Sequence, residues 1–197
     1  MDNRFVAEGT ETPMIPRVGL RMQLSEILND LTYYGRGPEE NYRDRRTSQF
    51  IGEYTTPIKD LYEPYIRPQE NEHHTDIYWC ALTTKQKAGL LFIADRTFEL
   101  NASNYLLGSL DSGETIDNGA PRTNETNHRH LTDPQPVKQV DMFIDYRMMG
   151  VGGDNSWGAI AHEPYLIRPG VENTIEYGFS IVPFDKKADY KNLIYQY

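Results

Sequence analysis

The sequence contains a single cysteine, Cys80, among its 197 residues. One cysteine can form neither an intrachain disulfide nor a thiolate zinc site. It lies within the apolar run 77–82, and a thiol in such a run is typical of a buried, unreactive side chain. Cys80 is therefore predicted to be a core residue rather than a nucleophile.

Long apolar runs and an excess of positive charge are also missing. No stretch approaches the roughly 20 apolar residues that a membrane span needs, and Met1 is followed by polar residues rather than by the apolar core of a signal peptide. Lys and Arg number 20 against 29 Asp and Glu, which gives a formal net charge of −9. Nucleic acid and anionic membranes are therefore not expected as partners, while a cytoplasmic and a periplasmic location both stay open.

Aromatic residues and alternating patterns are what the sequence does contain. Aromatic residues make up 12% of the chain, and 14 of them are tyrosines. Apolar and polar residues alternate over 17–24, 140–146 and 175–181, and the run 90–94 is apolar throughout, as expected of a strand buried on both faces. Long polar connections separate these segments. The pattern predicts one all-β domain, an antiparallel β-sandwich.

The segment 150–158, GVGGDNSWG, is the most unusual part of the chain and follows a predicted strand. Its glycines, among them Gly152 and Gly153, permit a tight and exposed turn. The polar side chains that follow, Asp154, Asn155 and Ser156, can hydrogen-bond neighbouring backbone groups and hold that turn. Trp157 would then be presented away from the sheet, where the C–H face of a sugar could pack on the indole ring. The alternative is a glycine-rich turn whose tryptophan packs on its own domain.

Histidines and carboxylates offer weaker candidates. His128 and His130 would share a face of an extended segment, and the 73–76 region holds a second polar cluster, His73, His74 and Asp76, but neither group has a full set of metal ligands. Loop histidines held by hydrogen bonds are the simpler interpretation. Glycoside hydrolysis needs two facing carboxylates, and context singles out no pair among the loop glutamates, which are Glu39, Glu40, Glu70 and Glu72. The residues therefore assign neither a catalytic group nor a metal site to this chain.

Five segments carry a further pattern in fixed order and spacing. They are 16–20 (PRVGL), 34–45 (YGRGPEENYRDR), 65–71 (YIRPQEN), 128–131 (HRHL) and 149–157 (MGVGGDNSW). From about residue 16 onward, this series resembles the C-terminal, small-chain region of bacterial β-galactosidases of glycoside hydrolase family 2.

The resemblance implies a supersandwich of the galactose-mutarotase-like type and a parent enzyme that hydrolyses terminal β-galactosides, such as lactose, with retention. In that family the catalytic glutamates and the magnesium and sodium sites lie mainly in or beside a TIM-barrel domain, so no cofactor is expected in this chain. The family's glycine-rich loop reaches across to the barrel, and its tryptophan lines the sugar pocket, a role that falls on Trp157 here. The implied partners are the barrel domain of the same enzyme, a β-galactoside sugar, and further copies of the enzyme in a homo-oligomer.

The chain also departs from the family pattern. Asn155 stands where a second Asp is usual, Glu72 stands where Gly is usual, and His74 and Tyr78 replace common basic residues. Residues 1–15 are expected to be a frayed N-terminal end or the boundary of an excised piece, and residues 16–197 the sandwich domain, without part of the family domain on its N-terminal side. An exposed sheet edge or apolar patch is expected to follow from that truncation.

Three functions are compatible with these observations. The leading one is a non-catalytic domain of a β-galactosidase that completes the sugar pocket and the domain and subunit contacts. A second is a mutarotase-like sugar epimerase, which would place His128 or His130 opposite a carboxylate across a cleft. A third is a free-standing carbohydrate-binding module with Trp157 and nearby tyrosines as its platform.

Overall fold

The structure of the chain is a computed structural model that describes residues 1–7, 14–66, 69–110, 132, 134–155, 159–169 and 174–196. The strands in these ranges are β1 (Asp2–Val6), β2 (Arg17–Ser25), β3 (Asp30–Gly37), β4 (Phe50–Pro57), β5 (His74–Thr83), β6 (Gly89–Ser103), β7 (Gln139–Met148) and β8 (Thr174–Phe184). One short α-helix, α1 (Tyr190–Leu193), and the 3-10 turns Ile58–Asp60, Leu107–Ser109, Glu163–Tyr165 and Ile194–Gln196 complete the described elements.

All strand pairs are antiparallel, and the main path through the sheet is β1-β8-β6-β5-β3-β4. The remaining two strands branch from β6, because β7 pairs with β6 and β2 pairs with β7. One edge of β6 pairs with β8 over residues 89–94 and with β7 over residues 99–103. Side chains of β7 and β8 meet in one core cluster, which confirms the predicted all-β, antiparallel β-sandwich.

The main core takes one face of each strand that was predicted from alternation. Val140, Met142 and Ile144 of β7 are fully buried in it, as is Phe92 of β6. Cys80 of β5 is buried in the same cluster, as predicted, and burial raises the pKa of its thiol. Each fully buried aliphatic or aromatic side chain stabilises such a core by about 1.5–3 kcal/mol.

A second, smaller cluster covers the opposite face of the sheet. Leu91 of β6 is buried there, whereas its neighbour Phe92 lies in the main core, so the 90–94 run is buried on both faces as predicted. Tyr190 and Leu193 of α1 pack against this outer face and cover Trp79 of β5. The Asp189 carboxylate caps α1 by accepting a hydrogen bond from the Lys191 N–H.

The N-terminal segment corrects one sequence expectation. Residues 2–6 form β1, which pairs along its length with β8, rather than a frayed end. The terminal amino group of Met1 donates to the carbonyl oxygen of Phe179 at 2.6 Å. The composition of this segment was misleading because backbone pairing, not burial of its largely exposed side chains, holds it in place.

β4 forms one edge of the sheet in the described part of the chain, and the edge expected from truncation stays a prediction. Among the strands in the described ranges, β4 pairs with β3 alone. Phe50 is 72% exposed at the start of this edge, and its neighbour Ile51 is 40% exposed. An edge with unpaired backbone groups and exposed apolar side chains is a surface on which a second chain can add.

Candidate functional site

The glycine loop, residues 150–158, begins directly after β7, and the structure describes it as far as Asn155. Backbone hydrogen bonds fix its first part: the Met149 N–H donates to the Pro16 carbonyl, and the Gly150 N–H donates to the Tyr165 carbonyl, both at 2.8 Å. The loop therefore starts from a fixed position on the sandwich.

The Asp44 carboxylate is the central anchor of the loop. Its Oδ1 accepts from the Val151 N–H at 3.1 Å, and its Oδ2 accepts from the Gly152 N–H at 2.8 Å. A carboxylate that accepts two backbone N–H groups makes charge-assisted hydrogen bonds, which are stronger than bonds between neutral groups. This contact joins the 34–45 segment to the 149–157 segment, two of the five that carried the family resemblance.

Glycine is required at the base of the loop by close packing. A Cβ atom at Gly150 would lie 2.5 Å from Asp44 Oδ2 and 2.9 Å from the Cβ of Ala161. Gly152 has a φ of +69°, and Gly153 has a φ of +100° with no heavy atom within 4 Å of a Cβ built there. Since positive φ is readily adopted only by glycine, the chain turns sharply and leaves the packed surface at Gly153. The described part of the loop, residues 150–155, therefore turns tightly at the glycines, while the rest of the predicted turn lies outside the described residues.

A histidine and a carboxylate hold the far side of the turn. His162 Nε2 and the Asp154 carboxylate form a short hydrogen-bonded ion pair, in which the side chains are 66% and 60% exposed. The hydrogen bond and the charge of Asp154, with a further contribution from Asp44, raise the pKa of His162. The sequence analysis did not single out His162, although it lies only eight residues from Asp154.

Trp157 and Ser156 lie outside the described residues, and so do His128 and His130. Their assignments therefore remain predictions. Of the supporting residues predicted with Trp157, the structure describes Gly152, Gly153, Asp154 and Asn155, and the first three take part in the turn as stated above.

The segment that carries Asp44 is itself held by hydrogen bonds to Glu40. Glu40 accepts from the Tyr42 hydroxyl at 3.1 Å, the Arg45 guanidinium at 2.5 Å, the Glu72 N–H at 2.9 Å and also the Tyr65 hydroxyl. Glu40 thereby connects Tyr42 and Arg45, which flank Asp44 in the sequence, to the 65–72 segment. The loop glutamate that the sequence left without a role is a structural anchor.

Asn41 continues this framework and is fully buried. Its side-chain oxygen accepts from the Thr75 N–H at 3.0 Å, and its side-chain amide donates to the Arg36 carbonyl at 3.0 Å. The turn around residues 40–46 is thus connected to β3 and β5, which gives Asp44 a rigid support.

A buried polar network underlies the junction of β7 and the loop. Glu99 of β6 accepts from the Met148 N–H at 2.6 Å and lies 3.1 Å from His73 Nε2. The Asn101 side-chain oxygen lies 2.8 Å from His73 Nδ1 and accepts from Arg17 at 2.8 Å. The Glu99 carboxylate therefore positions Met148, the last residue of β7, just before the glycine loop begins.

Two neighbouring histidines in this region have opposite protonation preferences. Burial lowers the pKa of His73, but the hydrogen bond and charge of Glu99 outweigh burial and leave this pKa above its ordinary value. For His74, burial and then the positive charge of His73 lower the pKa to about 3, so that its ring is neutral. The third member of the predicted cluster, Asp76, pairs instead with Arg36 at 2.7 Å and Arg46 at 3.0 Å.

This arrangement assigns structural roles to the 73–76 cluster. His73 and Glu99 are buried at 0% and 6% exposure, and they lie 3.1 Å apart as hydrogen-bonding partners. Within the ranges that the structure describes, no group of three or more His, Cys, Asp or Glu side chains is placed to hold a metal ion. In the same part of the chain, no helix has both the length and the apolar character needed to cross a membrane.

The sequence analysis missed this network because it assigned one face of each strand to the core and the other to solvent. Glu99 and Asn101 of β6, with Asp141 and Asp145 of β7, lie on the polar face, yet all four are buried. The signal that could have revealed the network is charge pairing between neighbouring strands. Arg17 of β2 lies 2.9 Å from Asp145, and the other pair on these strands, Arg21 and Asp141, is bidentate at 2.8 Å.

Fold and site together define a class: an antiparallel β-sandwich domain whose distinctive feature is an anchored, projecting glycine loop. The family profile described as beta galactosidase small chain matches residues 2–181, and this chain belongs to that family. The matched range includes β1, the strand that the sequence analysis had not expected.

Full-length relatives agree with this assignment. The chain is 33% identical over 162 residues to a beta-galactosidase of Priestia megaterium, 31% over 156 residues to one of Streptococcus thermophilus, and 31% over 158 residues to one of Vibrio cholerae. These matches cover 82%, 79% and 80% of this chain, respectively. The matched region is only 14%, 14% and 13% of the relatives' own lengths, so each relative is a much larger protein.

Proposed function

We propose that the chain is a non-catalytic domain of a β-galactosidase and that its glycine loop supplies Trp157 to the sugar pocket of a catalytic domain in the same enzyme. The observation that carries this proposal is the Asp44 carboxylate, which fixes the backbone N–H groups of Val151 and Gly152 at 3.1 and 2.8 Å. A loop with a fixed base and a projecting turn has the features needed to present a side chain to a neighbouring domain.

The expected contribution of Trp157 is burial of its indole face against the sugar or its aglycone. Covering a large aromatic face is worth on the order of 2–3 kcal/mol. Because the loop base is already ordered by Asp44 and Glu40, little conformational entropy is lost when a ligand binds. The proposed domain therefore strengthens substrate binding without taking part in bond cleavage.

The carboxylates described above support a non-catalytic role, since each of them is either held by hydrogen bonds within the domain or buried in it. Glu40 is saturated with hydrogen bonds, Glu99 is bound to His73 and to the backbone, and Glu72 is 1% exposed. In this proposal the catalytic glutamates and the magnesium and sodium ions of the parent enzyme are held mainly by the TIM-barrel domain. The parent enzyme is a homo-oligomeric glycosidase that acts on terminal β-galactosides.

The isolated chain should not hydrolyse nitrophenyl β-galactoside. Because glycoside hydrolysis needs two facing carboxyl groups about 5–10 Å apart, and the sequence singles out no such pair, we expect nitrophenol release at the background rate. The assay compares purified chain with a buffer blank. Turnover that survives purification and disappears in Glu39→Gln or Glu70→Gln would overturn the non-catalytic role.

The role of Trp157 is tested in the full-length β-galactosidase that contains this chain. Trp157→Ala should raise KM for nitrophenyl β-galactoside by about 30- to 150-fold, since 2–3 kcal/mol of binding is lost, while the melting temperature stays near that of the wild type. Trp79→Phe is the matched control, because Trp79 is buried under α1 on the outer face of the sheet. A Trp157→Ala protein that unfolds, or that binds substrate like the wild type, contradicts the proposal.

A further inference from the structure

A cleft opens where β6 exchanges one edge partner for another. Residues 89–94 of β6 pair with β8 and residues 99–103 pair with β7, so residues 95–98 have no partner on that edge among the described strands. The space between β7 and β8 at this point is a cleft of about 780 Å³, here called the β6 cleft. The residues used below all line it: Arg43, Arg46, Asp95, Tyr146, Arg147 and Tyr177.

The β6 cleft is lined by five arginines and five carboxylates, and the charges of two of the arginines, Arg147 and Arg46, act on a third, Arg43. Arg43 and Arg46 come from the segment between β3 and β4, and Arg147 comes from the end of β7. Burial, and then the charge of Arg147, lower the pKa of Arg43. Like charges held this close repel each other, the Glu99 carboxylate offsets part of this repulsion, and a bound anion would offset it further.

Arg43 has hydrogen-bonding capacity that its neighbours do not use. Its Nε atom is buried without a hydrogen-bond partner, and its closest carboxylate contact is 3.9 Å, from Nη1 to Glu99 Oε1. Glu99 is already engaged by His73 and the Met148 N–H, whereas Arg46 is paired with Asp76. A buried guanidinium donor without an acceptor is costly, and a planar oxyanion is the ligand that fits its fork of N–H groups.

The remainder of the cleft offers contacts for a polar ring. Tyr146 and Tyr177 lie with ring centroids 6.2 Å apart at an angle of 49°, and the Arg147 guanidinium lies 5.0 Å from the Tyr146 centroid. Asp95 is exposed and also lines the cleft, so its carboxylate can accept hydrogen bonds from hydroxyl groups. Aromatic rings combined with a few polar groups are typical of small-molecule sites.

We propose that the β6 cleft binds a sugar-sized polyhydroxy compound that carries one oxyanion, with the anionic group on Arg43 and the hydroxyl groups toward Asp95. A sugar phosphate and a sugar acid share this chemistry. The site is separate from the glycine loop and does not depend on the role proposed for Trp157.

Calorimetric titration of the chain with galactose 6-phosphate, galacturonate and galactose at constant ionic strength tests the proposal. At least one charged sugar should bind saturably and about tenfold or more tightly than galactose, because a charge-assisted hydrogen bond contributes about that factor. The tighter of the two charged sugars identifies the oxyanion as a phosphate or a carboxylate. Equal or absent binding of all three sugars would overturn the proposal.

Matched variants separate a specific site from general attraction to positive charge. Arg43→Gln should weaken binding of the charged sugar by about tenfold or more, whereas Arg168→Gln should change it by less than about twofold. Both substitutions remove one positive charge, but Arg168 is paired with Glu163 at an exposed position. Equal losses in the two variants would contradict the proposal.

Amide chemical-shift mapping on the wild-type chain keeps the test independent of whether a variant folds. Binding of the charged sugar should shift the backbone amide signals of residues that line the β6 cleft, including Thr97, Arg147 and Gly178. Shifts confined to other parts of the chain would place the ligand elsewhere and contradict the proposal.

Discussion

Glu72 carries a carboxyl group that the fold buries. The side chain is 1% exposed, its backbone has a φ of +62°, and neither carboxyl oxygen has a hydrogen-bond partner. Burial raises the pKa of Glu72 to about 8, and the nearby Ser103 hydroxyl and the charge of Glu40 act in opposite directions on it. Positive φ is readily adopted only by glycine, so the glutamate brings both a strained backbone and a buried acid.

This carboxyl predicts that stability falls as pH rises. In the unfolded chain Glu72 loses its proton near pH 4.5, whereas in the folded chain it keeps the proton to about pH 8. Between these values the unfolded state binds fewer protons, so the free energy of unfolding decreases with pH and levels off above about pH 8.

Glu72→Gln should remove this loss because the amide is neutral at every pH in that range. At pH 9 the variant should be more stable than the wild type by about 1–3 kcal/mol, and the two should converge near pH 4.5. Urea denaturation followed by circular dichroism at both pH values measures the difference. Glu63→Gln, an exposed glutamate on the same segment, should change neither curve; a parallel shift of Glu72→Gln at all pH values would contradict the account.

The role of a residue was predictable from the sequence where its type and its flanking residues determine that role. It was not predictable where the role depends on contacts with residues distant in the sequence. Cys80 was placed in the core from its apolar flanks, and Gly152 and Gly153 were placed in a turn from their type. The roles of Asp44 and Glu99 depend on backbone N–H groups far away in sequence, at Gly152 and Met148. No local pattern contains that information.

Gly150 packs directly against the Asp44 carboxylate that anchors the glycine loop. A Cβ atom there would lie 2.5 Å from Asp44 Oδ2, so Gly150→Ala should push the carboxylate off the Gly152 N–H. We expect a loss of about 1–3 kcal/mol in the free energy of unfolding, the cost of overpacking and of a broken hydrogen bond. Gly108→Ala makes the same chemical change where no atom lies within 4 Å, and should be nearly neutral in the same denaturation experiment. Equal effects of the two substitutions would show that Gly150 is not constrained by Asp44.

The C-terminal helix α1 stabilises the sandwich through the outer face of the sheet. Tyr190 packs against Trp79 and Phe184, with ring centroids 6.2 and 5.1 Å away. Tyr190→Ala should lower the free energy of unfolding by about 2–4 kcal/mol, as expected for loss of a packed aromatic side chain. Tyr195→Ala removes the same side chain from a position that is 89% exposed and should have little effect. Thermal melts of the two variants compare them directly; matching melting temperatures would exclude a stabilising role for α1.

Strands were predicted more reliably than short helical or terminal elements. The alternations at 17–24, 140–146 and 175–181 fall within β2, β7 and β8, because a half-buried strand imposes a period of two on its side chains. The sequence analysis missed β1 and α1, which are held by pairing with β8 and by contact with an already formed sheet. Those stabilising interactions come from distant parts of the chain and leave no periodic signal in the segments themselves.

The matched part of the chain accounts for about 14% of the length of the β-galactosidases it matches. Its described parts form a sandwich with its own core, an exposed β4 edge and an anchored loop. In this account Asp44 is a positioning residue that acts on substrate only through the loop that carries Trp157.

A double-mutant cycle in the full-length β-galactosidase tests that account most directly. Asp44→Ala, Trp157→Ala and the double variant are compared by KM for nitrophenyl β-galactoside, with Asp60→Ala as an exposed aspartate control. If Asp44 acts through Trp157, Asp44→Ala raises KM by about tenfold or more, and the double variant is no worse than Trp157→Ala alone. The central claim is wrong if the effects of the two substitutions on KM multiply, or if Asp44→Ala behaves like Asp60→Ala. In either case the Asp44 carboxylate does not position Trp157.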